Sequence, residues 1–273
     1  MKIYFKEPIE PLKNYVKYFW HTNFERPNHN FFKYNMMADS SPGLIFHHDN
    51  GNATISERDG SKLPNAFLYG PSNKPCSNFD NGNSFLYGVV FQPMAIKSLF
   101  NIDANLMKNN LLNLDNFIEH NITDKLLNSK KLESIELIFN TLIKKQIRRV
   151  EKEDFLIKKS LELIFHNTEN QSISNLSSSL KISKRQFERR FNTFVGIPPA
   201  NYIRVSKFQK SLNLLLTGKY QKLSDIAYQF GYTDQSHFIK EFKSFSGFKP
   251  KDLSKNENSQ CNFHLLTERI ILN

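Results

Sequence analysis

The sequence is poor in cysteine and glycine and contains no long apolar run. Two cysteines, Cys76 and Cys261, among 273 residues cannot build a disulfide framework or a four-thiolate zinc site, so both read as ordinary reduced thiols. Ten glycines, scattered singly, leave no phosphate-cradling loop. No stretch approaches the ~18 apolar residues that a spanning helix needs. The start, Met1-Lys2-Ile3-Tyr4-Phe5-Lys6-Glu7-Pro8, interrupts its apolar residues with charge and proline too early for a signal peptide. The expectation is a mature cytoplasmic protein without a membrane partner and without a cofactor.

Acidic residues are also in deficit. There are 37 Lys and Arg against 26 Asp and Glu, a net charge of +11. Such a balance suits a polyanionic partner. The excess is uneven: residues 1–150 hold 18 basic and 14 acidic side chains, residues 151–253 hold 17 and 10, and the last 20 residues sum to zero. The basic surplus leans towards the C-terminal part.

The first ~100 residues read as strand-rich. Short branched or aromatic runs such as Gly43-Leu44-Ile45-Phe46, Ala66-Phe67-Leu68-Tyr69 and Phe85-Leu86-Tyr87-Gly88-Val89-Val90-Phe91 alternate with turn chemistry at Asp49-Asn50-Gly51-Asn52, Asp59-Gly60, Gly70-Pro71 and Asn81-Gly82-Asn83. This spacing predicts a small antiparallel barrel or sandwich. An amphipathic helix with Leu12, Tyr15, Val16, Phe19 and Trp20 on one stripe is expected before it. After Pro93 a helical period is expected to take over, through Met94, Ile96, Leu99 and Phe100, then Leu111, Leu112, Leu114, Phe117 and Ile118. A longer helix follows from Leu132 to Ile143, ending in the basic pairs Lys144-Lys145 and Arg148-Arg149, which suit a helix C-terminus.

From Phe155 onward the chain is helical, and it repeats itself. Ile173-Ser174-Asn175-Leu176 matches Leu223-Ser224-Asp225-Ile226 at an offset of fifty, as do Leu180 with Phe230, Ile182 with Tyr232 and Ser183 with Thr233. One residue further on, Phe187, Phe191, Phe194, Gly196 and Pro199 match Phe238, Phe242, Phe245, Gly247 and Pro250. Each copy has the grammar of a helix-turn-helix. Ser174 and Ser224 are expected to cap the first helix of each copy. Ser183, with Gln186 three residues on, and Thr233 or Asp234 are expected to start the second. Gly231 suits a turn that needs positive φ. Three phenylalanines per copy form a buried stripe.

The outward faces of the second helices carry Lys184, Arg185, Glu188 and Arg189 in the first copy, and Gln235, Ser236, His237 and Lys240 in the second. These side chains match base edges and phosphates near helix N-termini. A solvated charged face would be the bland reading of either helix alone; two in tandem within a basic region favour DNA. Between the copies, Pro199 to Leu216 predicts a rod of about 27 Å, which would set two helices into major grooves recurring about every 34 Å. Arg204, Lys207 and Lys210 lie off its apolar stripe, and phosphate contact and plain solvation both remain open for them.

Residues ~154–252 resemble the DNA-binding domain of the AraC/XylS family of bacterial transcription regulators. The resemblance is carried by Ser224-Asp225-Ile226-Ala227-Tyr228-Gln229-Phe230-Gly231-Tyr232-Thr233-Asp234-Gln235-Ser236-His237-Phe238, and by Phe242-Lys243 through Gly247-Phe248-Lys249-Pro250. It implies that the second helix of each unit enters the major groove. Base contact then falls to Arg185, Glu188 and Arg189 in one unit and to Gln235, Ser236, His237 and Lys240 in the other. Ser177-Ser178-Ser179 departs from the family pattern, and Glu188 either accepts from cytosine or pairs with Arg185 or Arg189. The N-terminal part resembles sensor domains of the same family through Pro8–Val16 with Phe19-Trp20, Leu68-Tyr69-Gly70-Pro71 and Gly88–Pro93.

Other chemistry has less support. His47-His48, with His21 and His29, is a conceivable metal site, but adjacent strand residues face opposite ways, so structural or surface histidines are the preferred reading. Cys76 lacks the surroundings of a nucleophile. Trp20, Phe24, Phe31, Phe32 and Tyr34 either line a small-molecule pocket or, in the preferred reading, form core. The tail, with Leu265-Leu266 and Ile270-Ile271-Leu272, is amphipathic enough to pack back on the protein.

The fold class expected is α+β: a strand-rich sensor-like domain with trailing helices (1–125), a helical connection (126–153), an all-α domain of two helix-turn-helix units joined by a linker helix (154–252), and a tail (253–273). The function expected is sequence-specific, effector-responsive transcription regulation, not catalysis. Expected partners are double-stranded operator or promoter DNA, RNA polymerase, a small-molecule effector and a second copy of the chain. The alternative is a metal-dependent small-molecule enzyme tethered to DNA by its C-terminal module.

Overall fold

Short strands build the N-terminal half. The computed structural model describes residues 2–24, 32–80, 83–118, 121–150, 153–167 and 171–254. Strands β1 (Ile3–Lys6), β2 (Val16–Phe24), β3 (Phe32–Met36), β4 (Gly43–His48), β5 (Ile55–Ser56), β6 (Ala66–Tyr69), β7 (Cys76–Asp80), β8 (Ser84–Phe91) and β9 (Leu111–Asn113) form two antiparallel sheets. The larger has the order β1-β2-β8-β4-β6-β9, the smaller β3-β7-β5.

Both faces of the large sheet are covered, which is why its strands read as nearly continuous apolar runs rather than as clean alternation. Phe19, Leu44, Phe46, Leu68, Val89 and Phe91 face a helical layer, whereas their neighbours Trp20, Ile45, Phe67, Leu86 and Val90 face the small sheet. The helical layer comprises α1 (Ala95–Phe100), α2 (Ile122–Leu127) and α3 (Leu132–Ile147). Within it, Tyr87 of β8 stacks on Phe139 of α3 with ring centroids 5.1 Å apart.

Two sequence expectations are corrected here. Leu12 to Trp20 is a short 3-10 turn at Leu12–Asn14 followed by strand β2. Leu12, Tyr15, Val16, Phe19 and Trp20 are buried as expected, but a strand buried on both faces places apolar residues at helix-like intervals. Leu111 and Leu112 likewise lie on edge strand β9, paired with β6, because adding to an open sheet edge satisfies their backbone; Phe117 and Ile118 follow in a turn rather than a helix. Phe31, His29 and the tail beyond Ser254 lie outside the described residues, as do the side chains of Phe24, Phe32 and Tyr34.

The C-terminal half is helical: α4 (Phe155–His166), α5 (Ile173–Ser179), α6 (Lys184–Val195), α7 (Pro199–Thr217), α8 (Leu223–Gln229), α9 (Gln235–Ser246) and α10 (Pro250–Ser254). It holds two apolar cores. One joins α4, α5, α6 and the start of α7 around Phe187 and Phe191; the other joins α7, α8 and α9 around Phe208, Phe238 and Phe242. The N-terminal domain contributes to each, Met94 to the first and Ala38 to the second. No described helix is long and apolar enough to cross a membrane.

Candidate nucleic-acid interface

The repeat predicts the local geometry closely. Helices α5 and α8 are offset by fifty residues, and α6 and α9 by fifty-one. The second helix of each pair is capped by a side chain at its N-terminus. Ser183 Oγ accepts from the Gln186 N–H at 3.2 Å, and Asp234 Oδ1 accepts from the His237 N–H at 2.8 Å. These two caps stand fifty-one apart, so Thr233, between the turn and the cap, is the inserted residue. Each helix ends on a left-handed glycine, Gly196 or Gly247.

The caps of the first helices fall elsewhere than expected. Ser172, not Ser174, caps α5, accepting from the Asn175 N–H at 3.1 Å. For α8 the N-cap residue is Lys222, and its own N–H donates to Asp225 Oδ2 at 2.8 Å, so Ser224 lies within the helix. Both helices start two residues earlier than a search for serine suggests, with the apolar residues Ile173 and Leu223 in their first position.

The apolar stripes face inward. Phe187, Phe191, Phe238, Phe242 and Phe245 are buried, and Val195 takes the last buried position of α6 while Phe194 is half-buried. Fully burying one such ring contributes about 1.5–3 kcal/mol, enough to fix the rotation of each helix about its axis. That rotation leaves Lys184, Arg185, Arg189, Gln235, Ser236, His237 and Lys240 exposed, with Glu188 half-exposed. The N-terminal domain packs on α6 through α1 and the turn at Ala104–Met107, yet it buries none of these side chains. Among the described residues Glu188 forms no ion pair with Arg185 or Arg189.

His237 is held in one tautomer. Its Nδ1 accepts from the Thr233 N–H at 3.3 Å, so the ring proton sits on Nε2. The imidazole also packs edge-on against Tyr232, with centroids 5.6 Å apart. The Nε2 edge of the ring is thereby offered at the start of α9.

Several basic residues prove to be internal ties. Arg204 Nε and Nη2 donate to Glu241 Oε2 and Oε1 at 2.8 and 2.7 Å, and its guanidinium lies 5.3 Å from the centre of the Phe245 ring. This fork fastens α9 to α7. Lys210 Nζ donates to the Phe165 carbonyl at 2.8 Å, and Lys207 Nζ lies 3.5 Å from the Gly231 carbonyl. All three thus make contacts within the fold. Arg190 turns inward to Asp154, Nε to Oδ2 at 2.8 Å, while the other oxygen of Asp154 caps α4. Charge counting missed these pairs, since partners 36 and 37 residues apart leave no local signal.

The first of the two adjacent histidines is tied into the fold. His47 is fully buried in β4. Its Nδ1 accepts from the N–H groups of Thr54 and Ile55 at 3.1 and 3.3 Å, and its Nε2 donates to the Pro64 carbonyl at 2.9 Å. Both ring nitrogens are thus committed to protein, and burial pulls the pKa down to about 4.

Comparison with known proteins accords with this geometry. Residues 176–256 match a family described as a helix-turn-helix domain, and residues 5–113 match a domain of unknown function (DUF6597). An uncharacterized response regulatory protein of Staphylococcus epidermidis is 23% identical over 158 residues, covering 50% of this chain and 62% of the relative, so the chain spans under two thirds of that protein's length. ToxT from Vibrio cholerae superposes with a TM-score of 0.50 at 16% identity, over 87% of this chain and 98% of that one, which shows a shared two-domain fold. The C-terminal domain of AraT, a response regulator from Geobacillus stearothermophilus, aligns with 39% of this chain and 92% of its own at 19% identity and a TM-score of 0.36. The chain thus joins an N-terminal domain of the DUF6597 type to a C-terminal helix-turn-helix domain.

Proposed function

We propose that this protein is a sequence-specific DNA-binding transcription regulator that inserts α6 and α9 into successive major grooves. One observation carries the reading. Two capped helices of the same register hold their aromatic stripes inward and leave Lys184, Arg185, Arg189, Gln235, Ser236, His237 and Lys240 in solvent, in the most basic part of the chain. Arg185, Arg189, Gln235, His237 and Lys240 read base edges in this scheme, while the helix N-termini and the remaining basic residues hold phosphate. Glu188, without an ion-pair partner among the described residues, accepts from cytosine N4 in this scheme. Helix α7, 19 residues or about 28 Å long, spaces the two heads.

Residues 1–125 act as the sensing and dimerisation domain, 126–153 connect, 154–252 bind DNA and 253–273 form a tail. Partners are operator or promoter DNA, RNA polymerase, a small-molecule effector and a second copy of the chain. The protein acts in the cytoplasm and is not an enzyme. The tethered-metalloenzyme alternative loses its main support at His47, whose two nitrogens are already bound by backbone groups.

Selection of bound fragments from the host genome, followed by gel-shift titration against random competitor DNA, tests the proposal. A regulator retains at least about a thousand-fold preference for the selected site. Equal affinity for random DNA would reduce the protein to a nonspecific coat.

A further inference from the structure

Each helix-turn-helix unit docks on a scaffold helix, and the repeat extends into it. Helix α4 packs on α6 as α7 packs on α9. Ile157, Ser160 and Ile164 of α4 correspond to Phe208, Ser211 and Leu215 of α7 at the same offset of fifty-one that relates α6 to α9. All six are buried. The two serines make the same bond: Ser160 Oγ donates to the Ile157 carbonyl at 2.7 Å, and Ser211 Oγ to the Phe208 carbonyl at 2.8 Å. The docking stripes also match, Phe187 with Phe191 in one unit and Phe238 with Phe242 in the other. Apart from the sizes of Ile157 and Phe208, these apolar positions do little to tell one scaffold from the other.

Charge does separate them. Arg190 of α6 and Glu241 of α9 stand at the same point of the repeat, fifty-one residues apart. Each pairs with its own scaffold. Arg190 Nε and Nη2 lie 2.8 and 2.7 Å from Asp154 Oδ2 at the start of α4, whereas Glu241 accepts the fork of Arg204 on α7. At the counterpart of Arg204 the first unit has Glu153, the neighbour of Asp154. The signs are therefore exchanged between units. The first has acid on the scaffold and arginine on the DNA-facing helix; the second has the reverse. Docking of α9 on α4 would set Glu241 against Glu153 and Asp154, and docking of α6 on α7 would set Arg190 against Arg204. Asp154 and Glu241 are the mostly buried members of their pairs, so like charges meeting there lose part of their hydration and repel strongly.

We infer that the two exchanged ion pairs form a pairing code that directs each DNA-facing helix to its own scaffold and opposes docking on the wrong scaffold of a second copy of the chain. The outward faces differ, with Arg185 and Arg189 on α6 and Gln235, His237 and Lys240 on α9. Which helix sits on which scaffold therefore sets the order in which bases are read. That consequence rests on the reading of the chain as a regulator; the docking preference itself does not. The discrimination comes from repulsion in the wrong pairing rather than from extra attraction in the right one.

Refolding of the full chain from urea tests the inference, with masses read by light scattering after size exclusion and stability read from the urea midpoint. Arg204→Glu/Glu241→Arg gives both units the same polarity while keeping a complementary pair within the second unit. Arg204→Gln/Glu241→Gln removes that pair without reversing it. The reversed variant is expected to keep a midpoint near that of the wild type, yet to return, at high chain concentration, about three-fold or more of species heavier than the assembly present before unfolding. The neutral variant is expected to have the lower midpoint but fewer heavy species than the reversed one. Should the reversed variant not fold, Arg204→Asp/Glu241→Lys carries the same reversal. Docking of α9 on α7 of another copy stays equally open to wild type and reversed variant, so it cancels in the comparison. Heavy species that follow loss of stability and peak in the neutral variant, or a reversed variant no different from wild type, would each overturn the inference. DNA affinity is measured separately: its absence would overturn the regulator reading while the refolding result still decides the pairing code.

Discussion

Lys181 and Gly231 stand at the same point of the repeat, fifty residues apart, and both hold left-handed backbone, with φ of 54° and 66°. Their N–H groups donate to the carbonyls of Ser178 and Tyr228, each at 3.1 Å. The turn between the two helices of a unit demands this conformation, whichever residue occupies it. A lysine there carries a strain of about 1–2 kcal/mol that glycine avoids, offset in part by the greater freedom of glycine in the unfolded chain. Lys181→Gly is therefore expected to stabilise by about 0.5–1 kcal/mol and Gly231→Ala to destabilise by a similar amount. Urea unfolding midpoints check both signs.

The fork between Arg204 and Glu241 predicts a measurable coupling across α7 and α9. The guanidinium side is half-exposed and the carboxylate side mostly buried, so solvent screening limits the pair to about 1 kcal/mol. A double-mutant cycle with Arg204→Met and Glu241→Gln is expected to return that coupling in stability. Since neither residue belongs to the DNA-facing set, salt dependence of DNA binding should not change slope.

DNA affinity should respond differently to the exposed face. Arg189→Ala and Lys240→Ala are each expected to weaken binding to the selected site by about 1–3 kcal/mol where the side chain reads a base. Folding stability should stay within about 0.5 kcal/mol, because both side chains are exposed. Gel-shift titrations at several salt concentrations check this, and the wild type should show a steep linear loss of log affinity with log salt.

His47 predicts an acid sensitivity with a defined sign. Its imidazole titrates near 6.5 when unfolded and at about 4 in the fold, because burial disfavours the charged ring. As pH falls the unfolded chain takes up this proton first. The contribution is present in full above pH 6.5 and is lost as pH drops towards 4, amounting to about 3 kcal/mol. Unfolding measured between pH 7 and pH 4.5 is expected to fall less steeply in His47→Asn than in the wild type.

The helical half was legible because its signals are local. Caps, left-handed glycines and phenylalanines at spacings of four and three recur within each unit, and duplication of the pattern removed the ambiguity of either copy alone. The strand-rich half was legible as a class but not in detail. Val16, Phe19 and Trp20 are apolar on both sides of a doubly covered sheet, which erases period two, and Leu111–Asn113 is a strand only because β6 offers it an edge. Long-range ties left no trace in the sequence: for Arg204 phosphate contact and plain solvation both stood open, and its pairing with Glu241, 37 residues on, had no local signal. The same holds for Ala38, whose partners on α7 and α9 come from the other end of the chain.

Guanine-N7 methylation protection on a selected genomic site, in the presence of the full chain, tests the central claim most directly. Two protected major-groove segments about 10 base pairs apart on one face of the duplex are expected, one lost selectively in Arg185→Ala/Arg189→Ala and the other in Lys240→Ala. Protection of a single groove, or protection unaffected by either set of substitutions, would contradict the account.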